Sequence, residues 1–330
     1  MSGKVSIAFI GCGSMANLVH YPSLTSFDDV EIVGICDLRP DRLQATGQKW
    51  GIPPERRFES RQADDYQQMI AKVKPDGVFV IGQPHLMYDL WRWCLEQKLN
   101  LYIEKPMGIT IHQARSLAWL AERGGCITQV SHQRRTVPLL HLVRNQCLQK
   151  GPITHGVVEF YKAEMLPTTG APSHMMDDCT HSVDTARWIC GGEVVSVESH
   201  CRRIGVPDIN WIGATLRFDV GSTCFVTNSW CSGRRVFRVQ MHAPGITTDA
   251  EVEGKATVYA DGDYTGKTYE TREVAGSQEF HVFGGFRAKN REFIDSLKHG
   301  REVTSSPFRD TVKTMEVCET ILAQATLARA

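Results

Sequence analysis

The sequence predicts an α/β domain built on a parallel sheet, joined to a C-terminal α+β domain with a large, open, mainly antiparallel sheet. Three observations predict it. Over the first third, short β-branched runs alternate with amphipathic stretches of helical period, the rhythm of successive βαβ units. A glycine-rich turn closes the first run and opens a helical stretch. Past residue 193 the helical period gives way to Thr- and Val-rich segments separated by Gly, Asp and Asn, the pattern of antiparallel strands and tight turns.

Taken in order, strands are expected at 5–10, 31–36, 77–81, 101–103 and 126–131. Helices at 15–23, 39–50, 65–72, 87–97 and 111–122 lie between them, several bounded by Pro or Gly. A helix to 149, a strand at 153–161 and a helix at 176–189 follow. Antiparallel strands fill 193–272, with turns at Val220-Gly221-Ser222 and Ala260-Asp261-Gly262-Asp263, and helices at 286–298 and 309–327 close the chain. The division expected is 1–128 for the parallel-sheet domain and 129–330 for the second.

Thirty-seven Lys plus Arg balance thirty-seven Asp plus Glu over 330 residues. That balance removes the basic footprint of a general nucleic-acid or anionic-membrane binder. No run of about eighteen apolar residues exists, and the start MSGKVSIAFIGCG has no long apolar targeting segment, so a cytoplasmic protein is expected. The eleven cysteines show no paired metal-type spacing and read as reduced thiols.

Gly11-Cys12-Gly13-Ser14-Met15-Ala16 fits the GxGxxG/A dinucleotide fingerprint in its required place between strand and helix. Gly11 makes the tight turn, Gly13 lets the backbone approach a pyrophosphate, Ala16 keeps helix and sheet close, and the phosphates rest on the helix N-terminus. Asp37, at the end of the second strand, stands where a carboxylate accepts from the adenosine ribose and repels a 2′-phosphate. NAD is therefore favoured, while Arg39 and Arg42 leave NADP open. The bland alternative for Asp37 is a cap for the helix at Pro40. Glu104-Lys105-Pro106 follows the 101–103 strand at the carboxyl edge, where open α/β sheets bind ligands.

The most informative stretch runs from Met176 to Trp188. On one continuous helix Asp177, His181, Asp184 and Trp188, spaced four, three and four, form a single stripe with three ionisable members. Such a stripe admits a carboxylate-oriented imidazole base, a satisfied structural histidine, or a metal site with His174. No open metal triad such as HExxH appears, and no metal is expected.

Together these residues resemble the Gfo/Idh/MocA family of NAD(P)-dependent oxidoreductases, over essentially the whole chain. The carriers are the Gly11 to Ala16 fingerprint, Asp37, Glu104-Lys105-Pro106, the Arg134-Arg135 to Pro138 segment, and Asp177, His181 and Asp184 ending in Trp188 and Gly191-Gly192. The resemblance implies a Rossmann domain followed by a substrate-binding domain whose sheet forms homodimers or homotetramers. It also implies sugar, inositol or related polyol substrates, and catalytic roles for Lys105, Asp177 and His181.

Cofactor contacts are expected from Gly11 to Ala16, Asp37, Arg39, Gln83, Pro84, His85, Glu104 and Lys105. Substrate contacts are expected from Lys105, Arg135, Tyr161, Lys162, His174, Asp177 and His181. The chain departs from the family pattern at Gln83-Pro84-His85 with Tyr88, at Ser173-His174-Met175-Met176, and at Cys179. In the expected reaction His181 takes the proton of a secondary hydroxyl, Asp177 orients and charges the imidazole, and Lys105 stabilises the developing oxyanion. Two rival readings are a redox-neutral NAD-dependent glycosidase or lyase, and a non-catalytic NAD(P)-binding protein.

Overall fold

The computed structural model describes residues 3–60 and 65–325. Six short strands form one parallel sheet: β1 (Val5–Ile10), β2 (Val30–Asp37), β3 (Arg57–Glu59), β4 (Gly77–Val80), β5 (Leu101–Ile103) and β6 (Thr128–Val130), in the order β3-β2-β1-β4-β5-β6. The order reverses between β1 and β4, and that switch point opens a crevice at the carboxyl edge. Gly11, Asp37, Gln83 and Lys105 all lie at, or within three residues of, strand C-terminal ends there. The three-residue β3 was not expected, because Arg-Phe-Glu on a sheet edge carries no apolar run.

A second sheet contains β7 (His155–Ala163), β8 (Val194–Arg202), β9 (Trp211–Phe218), β10 (Thr223–Ser229), β11 (Cys231–Ala243), β12 (Ile246–Glu251), β13 (Lys255–Ala260) and β14 (Lys267–Glu270). Its order is β14-β13-β12-β11-β7-β10-β9-β8, antiparallel except for the β7–β10 pair. Along β7 the alternation buries Gly156, Val158 and Phe160 and turns Glu159 and Tyr161 to the opposite face.

The two faces of the parallel sheet have different cores. Ile7, Phe9, Phe79 and Tyr102 pack with Phe293 and Ile294, delivered by the late helix Phe286–His299. Ala8, Ile10, Val78 and Val80 join a cluster that continues without a break to Val158, Phe160 and Val226 of the second sheet. The chain after residue 128 therefore completes both faces of the parallel sheet, and β6 itself extends to Val130. The closing helix is described as Phe308–Ala325, and residues 326 and 327 of the expected element lie outside the described residues. Among the described residues no helix is long and apolar enough to cross a membrane.

Candidate active site

The glycine turn begins at Gly11, whose φ is +110° and whose added Cβ would lie 2.0 Å from the Ile81 carbonyl oxygen. Only glycine fits there. A Cβ on Gly13 would meet nothing within 4 Å, so that side of the turn is open to a ligand. Helical structure starts at Ser14 and passes through a π-helical segment, Ala16–His20, into Tyr21–Thr25. First-turn N–H groups have no partner within a helix and point at the groove mouth. Ala16 is buried against the sheet, and Cys12 turns its thiol inward to Tyr21, so burial pushes that thiol up to about 11.

Asp37 closes the turn from the neighbouring strand. Its Oδ2 accepts the Cys12 N–H at 2.6 Å and its Oδ1 the Arg39 N–H at 2.8 Å, leaving a lone pair on each oxygen for ribose hydroxyls. The Arg39 side chain turns to Asp41 at 2.6 Å in an exposed pair, rather than over the groove. Gln83 and His85 stand exposed at the start of the helix Pro84–Glu96. His85 packs on Gly170, where an added Cβ would lie 2.3 Å from its Nδ1. These residues fit an NAD-type dinucleotide: an open glycine cradle, a helix N-terminus and a ribose carboxylate.

Glu104 is braced from behind. His20 Nε2 lies 2.8 Å from Glu104 Oε1, His20 Nδ1 lies 3.1 Å from Asn290 Oδ1, and Glu104 Oε2 accepts the Lys105 N–H at 3.3 Å. The glycine-turn helix, the Lys105 loop and the helix Phe286–His299 are thus tied through one buried imidazole, a contact no local sequence spacing signals.

Lys105 reaches across to the second domain. Its Nζ donates to Asp178 Oδ1 at 2.6 Å and lies 3.4 Å from Asp177 Oδ1. Asp178 also accepts from Lys162 through its other oxygen, so one carboxylate is shared by two ammonium groups. Burial opposes the charge on Lys105, but Asp178 and Asp177 more than reverse it and raise its pKa above the ordinary lysine value. Burial likewise raises the Asp178 carboxyl, and Lys105 and Lys162 outweigh that, holding it below the usual carboxylate range.

The single-helix stripe is a correction. Ser173 accepts the Met176 N–H and caps a separate short turn, His174–Met176; Asp177 then adopts φ −133°, ψ −100°, and the α-helix starts only at Thr180. Asp177 therefore does not lie one helical turn below His181, and its carboxylate serves Lys105 instead. The charging role expected of Asp177 fails on the same ground. His181 is 7% exposed, its Nδ1 has no hydrogen-bond partner, and its pKa lies well below the ordinary histidine value. Burial is the main cause, followed by the positive charges of Lys105 and Arg134.

Two expected substrate contacts also fall elsewhere. Arg135 is buried and spent on structure: it holds Asp184 through bonds of 2.9 and 2.6 Å and lies 2.7 Å from Asp310. Tyr161 donates to Glu159 at 2.7 Å on the sheet face opposite Phe160, the residue that contacts His181. The neighbouring Lys162 is the β7 side chain that does reach the site. His174 is buried, stacked on Trp230 with ring centroids 4.6 Å apart. Asp178 was masked in the sequence by the assumption of one continuous helix. Among the described residues no cluster of three or more metal-ligating side chains forms.

Two family models match the chain: "Oxidoreductase family, NAD-binding Rossmann fold" over residues 5–132 and "GFO/IDH/MocA C-terminal domain" over 158–256. The D-glucoside 3-dehydrogenase of Escherichia coli (strain K12) is 28% identical over 216 residues, 60% of this chain and 58% of that protein. The scyllo-inositol 2-dehydrogenase (NAD(+)) of Bacillus subtilis (strain 168) is 21% identical over 236 residues, 67% of this chain and 66% of that one. The alignment thus spans little more than half of the first relative's length. The crystal structure of a dehydrogenase from Chromobacterium violaceum superposes with a TM-score of 0.87 at 17% identity, covering 99% of this chain and 96% of that one. With both halves matched in order and the same fold end to end, the chain belongs to the Gfo/Idh/MocA oxidoreductase family and carries its NAD-binding Rossmann domain.

Proposed function

We propose that the protein is an NAD-dependent dehydrogenase that oxidises a secondary hydroxyl of a sugar, inositol or related polyol. The observation that carries the reading is that Asp178, near the carboxyl edge of the NAD-binding sheet, holds the Lys105 ammonium at 2.6 Å with its side chain and accepts the His181 backbone N–H at 3.1 Å with its carbonyl, bringing a charged lysine and an uncharged imidazole to one place. Two groups whose environments push their titrations apart divide the acid and base work between them. NAD, when bound, supplies the hydride acceptor.

The chain's own groups do the rest. His181, neutral at pH 7, accepts the hydroxyl proton. Lys105, held charged by Asp178 and Asp177, donates to the same oxygen and stabilises the charge that develops as the carbonyl forms. Asp178 fixes the ammonium in place, and Lys162 and His174 stand nearby to meet further hydroxyls. Gly11, Gly13, Asp37 and the helix start hold the dinucleotide. The similarity to a D-glucoside 3-dehydrogenase and an inositol dehydrogenase supports the substrate class. In this reading residues 1–128 carry the cofactor and 129–330 carry substrate contacts and self-association through the second sheet, in a cytoplasmic homodimer or homotetramer.

The test is a spectrophotometric screen for NADH, with NAD and a panel of methyl glucosides, inositols and sugar acids. Stoichiometric NADH with at least one of them is expected. Tight NAD binding without NADH from any member overturns the reading, and turnover that consumes substrate on trace NAD transfers it to redox-neutral chemistry.

A further inference from the structure

Behind His181 lies a second buried imidazole that the reaction above does not use. His132 lies two residues past the end of β6, is 1% exposed, and has no hydrogen-bond partner on either ring nitrogen. Its ring meets that of His181 edge-on, with centroids 6.4 Å apart at 85°. His181 Nδ1 is likewise buried and without a partner. A ring nitrogen sits roughly 1.1 Å from its ring centre, so no two nitrogens of these rings approach closer than about 4 Å, too far for a direct hydrogen bond. On its far side His132 Nδ1 lies 3.6 Å from Asp184 Oδ2, and Asp184 is clamped by Arg135 and accepts from Thr314 at 3.0 Å.

Buried polar groups are hydrogen-bonded, and a single partner between the two rings would satisfy one unpartnered nitrogen on each. A neutral imidazole offers one donor and one acceptor and therefore passes a hydrogen bond through itself. We propose that His132 is a positioning residue for His181: one bridging water joins the two rings, and the chain Asp184–His132–water–His181 fixes the tautomer of His181. Asp184 anchors the chain by charge: its carboxylate, 3.6 Å from His132 Nδ1, favours the proton on that nitrogen without a hydrogen bond. His132 Nε2 is then the acceptor, the water donates to it, and the water accepts the His181 Nδ1 proton. The lone pair of His181 is thereby placed on Nε2, the nitrogen left to receive a substrate proton.

The charges around the pair fit this arrangement. His132 faces Asp184, Arg135, Lys289 and Asp310, and burial holds its pKa near about 4. His181 faces Lys105, Arg134 and Asp178 besides His132. Both rings are neutral at pH 7, the state in which the relay has one direction.

The inference deepens the proposed dehydrogenase reading, and its test needs no turnover. The full-length protein labelled with 15N-histidine is titrated by long-range 1H–15N NMR, as wild type, His132→Phe and His132→Gln. In the wild type His181 is expected to show a single Nδ1–H tautomer between pH 6 and 8. His132→Phe is expected to give mixed tautomers, and His132→Gln, whose amide both donates and accepts, to restore the single one. An unchanged His181 signature in folded His132→Phe overturns the proposal. If His132→Phe does not fold, a high-resolution crystal structure of the wild type decides: an ordered water within hydrogen-bond distance of both rings supports the relay, and none overturns it. Failure of every polyol to reduce NAD, with the tautomer linkage intact, would remove the dehydrogenase reading and leave the relay standing.

Discussion

Asp178 and Asp177 are adjacent carboxylates with different tasks, and the difference gives the sharpest residue-scale prediction. Asp178 bonds Lys105 at 2.6 Å and is shared with Lys162, whereas Asp177 lies 3.4 Å from Lys105 and is more exposed. Asp178→Asn should therefore lower kcat by about 10² or more, in the range of general acid–base contributions, and Asp177→Asn by clearly less. Steady-state kinetics on the two variants separate them, and the reverse ranking contradicts the assignment. Lys105→Met should cost about 10²–10⁴ in kcat while NAD affinity, read by fluorescence titration, stays within about threefold.

The same scale sets the pH profile. His181 is needed neutral, and its folded pKa lies below the ordinary 6.5 because of burial, Lys105, Arg134 and His132, against the opposing pull of Asp178. As pH falls through 6.5 the base thus remains unprotonated, and kcat/KM for oxidation should stay flat there, its acid limb appearing only lower. An acid limb centred near 6.5 would contradict the assignment of His181 as base.

At the scale of elements, the strands and helices were legible in the sequence wherever one period ran uninterrupted. The carboxyl-edge residues were legible as such because each lies at, or within three residues of, a strand's C-terminal end. The segment before Thr180 was misread because the spacing of Asp177, His181 and Asp184 satisfies a helix arithmetically, while the Ser173 cap and the dihedrals of Asp177 end one turn and start another. Tyr161 and Lys162 show how a strand's alternation decides function: a shift of one residue exchanges the cleft for the opposite face. Two elements yield stability predictions. Gly11→Ala puts a Cβ into the Ile81 carbonyl at positive φ and should cost more than about 2 kcal/mol in chemical denaturation, with loss of NAD binding. Asp184→Ala strips buried Arg135 of its bidentate carboxylate, leaving it Asp310 and the Ser305 carbonyl, and should cost about 3 kcal/mol by the same measurement.

At the scale of the whole molecule, the two sheets share a core, and the helix Phe286–His299 returns to cover the parallel sheet. Long-range closures of this kind leave no local trace, which is why His20, Glu104 and Asn290 were not linked in the sequence although Glu104 was singled out. His132 adds a global pH dependence. It is protonated near 6.5 when unfolded and only near about 4 when folded, so below pH 6.5 the unfolded state binds the extra proton and stability falls as pH drops. The loss should reach on the order of 3 kcal/mol by pH 4, and His132→Gln should flatten that part of the urea-denaturation profile.

The most direct test of the central claim is a crystal structure of the NAD-loaded protein. The account predicts the nicotinamide ring beside Lys105 Nζ and His181, with a gap of about 3–4 Å between the ring and those groups, wide enough for one reacting carbon and its oxygen. A nicotinamide bound far from Lys105, or a His181 ring turned away from it, would contradict the account.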